Sequence, residues 1–119
     1  GTAYLKCPES RIGLRFRQRL AEAADDSTVI TNVMTGRAAR GLVNRVIDEL
    51  GPMAADAPPF PLAATALAPL RTDAERDGCV AFTPKWAGQA APLARSMLAA
   101  DLTRKLADQA LKRLRQMAV

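Results

Sequence analysis

At 119 residues, with 49% hydrophobic and 24% charged residues, the chain has the composition of one modest folded domain, which excludes a disordered segment. A formal charge of +5 invites a nucleic-acid partner, but the cations are spread over most of the predicted helices. The aromatics Tyr4, Phe16, Phe60, Phe82 and Trp86 are too few and too scattered to form stacking platforms, so no nucleic-acid partner is expected.

The chain opens without Met at Gly1-Thr2-Ala3-Tyr4-Leu5, which reads as the tail of a strand, so a fragment of a longer protein is expected. Cys7-Pro8-Glu9-Ser10 then signals a helix start, with Glu9 at the positive end, and the helix is expected to reach Ala24. Its apolar face carries Leu14, Phe16 and Leu20. Arg11, Arg15, Arg17 and Arg19 are read as pointing mostly outward, either toward an anion or as a solvated face. Thr28-Val29-Ile30-Thr31 has strand composition, Thr35-Gly36 breaks it, and Arg37 to Leu50 takes up helical spacing. That strand, turn and helix start are one way to hold a phosphate, or simply a strand-to-helix turn with solvated arginines.

Gly51-Pro52 stops the second helix, and Met53 to Pro59 is expected to be irregular. A third helix runs from Phe60-Pro61 to about Asp77, with a kink or break at Pro69 and a stop at Gly78. Cys79 to Phe82 is read as extended and Thr83-Pro84 as a turn. Lys85 to Gln89 is read as the opening of another helical stretch, in which Trp86 either covers exposed backbone or faces a ligand. From Asp101 the last helix carries one stripe, Leu102, Leu106, Ala110, Leu114 and Met117.

Chemistry is sparse. There is no His, and Cys7 and Cys79 lie far apart, so neither zinc-ligand spacing nor a Cys/His nucleophile pair can be built and no metal is expected. The carboxylates read as caps and surface partners, and no phosphate-loop or GxGxxG pattern occurs. No catalytic residue is assigned within this chain. No apolar run approaches the roughly 20 residues needed to span a bilayer, so no membrane partner is expected and the cytoplasm is the expected compartment.

Four blocks, GTAYLKCPES (1–10), TNVMTGRAARGLVNR (31–45), FPLAATALAPLR (60–71) and FTPKWAGQAAPLAR (82–95), resemble in order the C-terminal part of the nitronate monooxygenase family, formerly the 2-nitropropane dioxygenases. The resemblance implies an oxidoreductase that uses FMN on an α/β TIM barrel and oxidises alkyl nitronates with O2 to carbonyl compounds and nitrite. It implies a mostly α piece with one or two short strands: residues 1–26 as the end of the last barrel strand and its helix, and 27–119 as a small helical lid. Gly1 and Thr2 would contact the FMN phosphate. Met34, Thr35, Gly36 and Arg37, with Trp86, Gly88 and Gln89, match family motifs and would belong to the lid or the wall of the substrate pocket. Ala38 stands where relatives usually carry Pro. The catalytic His and the glycine-rich phosphate loop that the resemblance implies are not in this sequence, so the piece alone is expected to be inactive. Alternatives are a related FMN enzyme of enoyl-reductase type, suggested by Gly88-Gln89, and a free-standing basic helical binding module.

Overall fold

The β-branched run Thr28–Thr31 forms a strand, β1, and its antiparallel partner β2 is Ala39–Leu42, with Thr28 opposite Leu42 and Thr31 opposite Ala39. The computed structural model describes residues 1–118; Val119, the last residue of the expected 27–119 unit, lies outside the described residues. Around this hairpin are five helices: α1 (Thr2–Leu5), α2 (Leu14–Ala21), α3 (Arg45–Leu50), α4 (Leu62–Arg76) and α5 (Ala99–Met117), with a 3-10 turn at Ala91–Leu93. The described chain is thus mostly helical with one small sheet, as expected.

Several local expectations are corrected. The helix expected over Arg37 to Leu50 is a strand followed by a short helix. Ala39-Arg40-Gly41-Leu42 has little strand propensity of its own, but pairing with β1 satisfies its backbone groups, so tertiary context overrides it. The helix begins only at Arg45, where the Asn44 side chain accepts the Ile47 N–H at 3.1 Å as an N-cap. Thr2 to Leu5 is a helical turn rather than strand.

α2 starts at Leu14 instead of at Pro8. Glu9 serves a different helix: its carboxylate accepts the N–H of Ala99 at 2.9 Å, at the first residue of α5. An acid is favourable there for the same reason, the uncompensated N–H groups of a helix start. Arg17 does not point into solvent. Its guanidinium donates to the carbonyls of Lys6, Cys7 and Ser10 at 3.0–3.4 Å, stitching the turn after α1 to α2. α4 runs through Pro69 without ending, and Gly78, at φ +71°, follows it.

Two apolar clusters flank the hairpin. Leu20, Leu42, Ala87 and Ala91 are buried together, with Leu5, Ile12 and Phe16 packed against them. Val33, Met34, Val46 and Ile47 form the second, joined by Val29, Leu67 and Phe82. α5 belongs to neither. Leu102 is its buried residue, whereas Leu106, Leu114 and Met117 of the expected stripe are 46%, 62% and 80% exposed. The radius of gyration, 16.9 Å, exceeds the value of about 13–14 Å for a compact domain of this size. The long helix therefore carries an apolar face that the rest of the described chain does not cover.

Candidate functional site

The residues singled out from the sequence fall into two places. Gly1, Thr2, Trp86 and Gly88 come together around one shallow groove of about 380 Å3, whose wall also includes Arg40. Met34, Gly36 and Arg37 sit in the connection between β1 and β2. Gln89 is exposed and is not among the residues lining the groove.

The groove is built from the hairpin outward. Lys85 to Ala87, expected to be helical, is extended beside β2: the Leu42 N–H donates to the Lys85 carbonyl at 2.8 Å, and Gly41 and Trp86 form an antiparallel bridge. Gly41 is required by that approach. A β-carbon placed there would lie 3.1 Å from both the Lys85 carbonyl oxygen and the Trp86 ring. Trp86 therefore covers backbone bared by a glycine, and the glycine is Gly41 rather than its sequence neighbour Gly88. The ring remains 37% exposed on the groove side.

One residue further, the Gly88 N–H donates to Thr2 Oγ1 at 2.8 Å. The hydroxyl oxygen is thus used as an acceptor while its O–H stays available to a ligand. Arg40 adds a fixed positive charge: Nη1 donates to the carbonyl and hydroxyl oxygens of Thr28 at 3.0 and 3.2 Å. An O–H and an anchored guanidinium beside an indole suit an anionic ligand with an aromatic portion. Arg40 lies in the 31–45 block, but nothing local singles it out, because only the pairing of β2 with β1 brings it to Thr28.

At the other place, Gly36 has φ +88° and its N–H donates to the Asn32 carbonyl at 2.7 Å. A β-carbon on it would collide with the backbone of Pro58, Pro59 and Phe60. Arg37, exposed, lies over the Phe60 ring at 4.8 Å. Met34 is buried and accepts a weak bond from Asn44 Nδ2 at 3.7 Å, so it packs the core rather than walling an open pocket. Among the described residues no group of three or more His, Cys, Asp or Glu side chains could hold a metal ion.

Against solved structures, the fold matches nitroalkane oxidase from Streptomyces ansochromogenes with a TM-score of 0.78 and 33% identity, over 99% of this chain and 33% of that one. A fold of this kind is shared here with a piece of a larger enzyme. The family model described as nitronate monooxygenase matches residues 1–109, and the chain belongs to that family. It is 39% identical over 110 residues to nitronate monooxygenase of Pseudomonas aeruginosa, covering 92% of this chain and 31% of that protein. It is 36% identical over 123 residues to nitronate monooxygenase of Paraburkholderia phytofirmans, covering 99% and 33%. The chain spans about a third of the length of the relatives it matches. Neither the enoyl-reductase alternative nor the basic binding module is favoured by these matches. No helix among the described residues is long and apolar enough to cross a membrane.

Proposed function

We propose that this chain is the C-terminal part of an FMN-dependent, cytoplasmic nitronate monooxygenase, which oxidises alkyl nitronates with O2 to carbonyl compounds and nitrite. The remaining two thirds would supply the TIM barrel and the catalytic His. Residues 1–26 would continue from the barrel and 27–119 would form the lid over its mouth. The observation that carries this reading is the convergence of Thr2, Arg40, Trp86 and Gly88 on one groove, in a chain whose residues 1–109 match the family.

The groove fits the phosphate end of a flavin nucleotide. Nothing lies within 4 Å of a β-carbon placed on Gly1, so a ligand could approach the backbone closely there, and the Thr2 O–H and the Arg40 guanidinium supply donors for phosphate oxygens. FMN bound there would supply the redox chemistry and the reaction with O2. This chain's residues would do the rest: Gly1, Thr2 and Arg40 hold the phosphate, and Trp86 and Gly88 shape the wall. The Gly36–Arg37 connection, pinned on Phe60, would keep the lid closed against water. The uncovered face of α5 gives this piece an apolar surface for docking on the barrel.

The test is a chimera in which this chain replaces the corresponding third of the P. aeruginosa protein. Nitrite release from propyl nitronate without NAD(P)H is expected. A folded, flavin-loaded chimera that instead reduces enoyl substrates with NAD(P)H, or turns over neither, would refute the proposal.

A further inference from the structure

A second cleft lies on the other side of the Lys85 segment. It has a volume of about 430 Å3, and Arg15, Arg19, Arg45 and Lys85 line it, with Asp48 as its acidic side chain. Four cations against one carboxylate give the lining a formal charge of +3 (4 − 1).

Arg19, Arg45 and Lys85 are held there by contacts within the fold. Arg15 and Arg19 are one turn apart on α2, where like charges repel. Arg19 is anchored by donating to the Val43 carbonyl at 3.0 Å. Arg45, the first residue of α3, stacks over the Phe82 ring at 5.3 Å and pairs with Glu49. Lys85 is the unusual member. Only 8% of it is exposed, and its ammonium has one long hydrogen bond, to the Val80 carbonyl at 3.4 Å. Burial, and then the charge of Arg19, hold its pKa below the ordinary lysine value, with Glu75 opposing. A buried cation without a carboxylate in hydrogen-bond contact is costly, and the charge of Arg19 adds to that cost. The arrangement becomes favourable when an anion enters, because Arg15, Arg19 and Lys85, none of which has a carboxylate in hydrogen-bond contact, then gain a charge-assisted partner.

We propose that this cleft is a binding site for a small phosphate-bearing ligand, separate from the Thr2–Gly88 groove and independent of the flavin reading. A cavity of this size holds more than a bare ion, and rigid guanidinium forks with a short-range ammonium are the donor set that phosphate monoesters and diphosphates take.

Calorimetric titration of the full chain with inorganic phosphate and with pyrophosphate tests the site. Saturable binding is expected, tighter for pyrophosphate and weakened at least tenfold in the exposed double variant Arg15→Gln/Arg19→Gln and in Lys85→Met. Arg113→Gln, a cation on α5 outside the cleft, is expected to change it less than twofold. Circular dichroism melts establish that each variant is folded, and the Arg15/Arg19 pair supplies the result should Lys85→Met not fold. Absence of saturable binding, or an equal loss in Arg113→Gln, overturns the proposal.

Discussion

Thr2 and Gly88, 86 positions apart, are tied by one hydrogen bond of 2.8 Å from the Gly88 N–H to the Thr2 hydroxyl oxygen. It fixes the α1 start against the extended segment that lies beside β2, and thereby defines the groove. Thr2→Val keeps the shape and removes the acceptor, and a loss of about 0.5–1.5 kcal/mol in urea unfolding is expected. Thr2→Ser, which retains the oxygen, is expected to lose less than half of that. No loss in Thr2→Val together with a loss in Thr2→Ser would mean that the methyl group, not the hydroxyl, matters.

Gly36 and Gly51 both have positive φ, +88° and +79°, but they differ in surroundings. A β-carbon at Gly36 meets the backbone of residues 58–60, whereas nothing lies within 4 Å of one at Gly51. Gly51→Ala is expected to cost only its extended positive-φ conformation (φ 79°, ψ 159°), about 1–3 kcal/mol. Gly36→Ala is expected to cost more than that and to weaken the packing of Arg37 on Phe60. Urea midpoints of the two variants measure the difference, and equal midpoints would contradict the packed-backbone explanation.

Trp86 is the only tryptophan, so its fluorescence reports the contact with Gly41. Gly41→Ala requires the ring or the Lys85 carbonyl to give by a few tenths of an ångström, because 3.1 Å is tighter than an ordinary methyl contact. A red-shifted emission maximum and a loss of about 1–3 kcal/mol are expected, as for overpacked sites. An unshifted spectrum at full stability would show that the segment is not seated on β2.

The buried Lys85 makes stability depend on pH with a defined sign. Its folded pKa lies below the ordinary value of 10.5, chiefly through burial. Between those two values the unfolded chain binds more protons than the folded one, so the penalty is complete at pH values below the folded pKa and is relieved as pH rises toward 10.5. In phosphate-free buffer, Lys85→Met is expected to be more stable than the parent at pH 7, with the gap closing by pH 10.5. A gap that widens with pH would reverse the sign and contradict the burial penalty.

What was legible in the sequence follows from where the physics is local. β1 shows in its β-branched run, and α4 and α5 show in their length and Gly78 in its stop. β2 does not: Ala39-Arg40-Gly41-Leu42 is a strand only because β1 on one side and Lys85–Ala87 on the other satisfy its backbone. Asn44 with Ile47 three residues on was the overlooked start signal for α3. In the groove, Thr2, Arg40, Trp86 and Gly88 all lie in family blocks, but Arg40 is not singled out in the sequence, because only strand pairing sets it beside Thr28. Glu9 reads as the acid at its own helix start and Arg17 as pointing mostly outward, yet Glu9 acts on α5 and Arg17 on the turn after α1.

The phosphate assignment at the groove separates from every other role of Thr2 when FMN is compared with riboflavin, which carries the same ring system without the phosphate. In the P. aeruginosa chimera, binding of each flavin is measured with Thr2 and with Thr2→Val. A tenfold or greater weakening of FMN, with riboflavin changed less than twofold, is expected from one lost hydrogen bond to a charged group, worth about 1.5–3 kcal/mol. Equal weakening of both flavins, or of neither, would contradict the placement of the phosphate at Gly1 and Thr2.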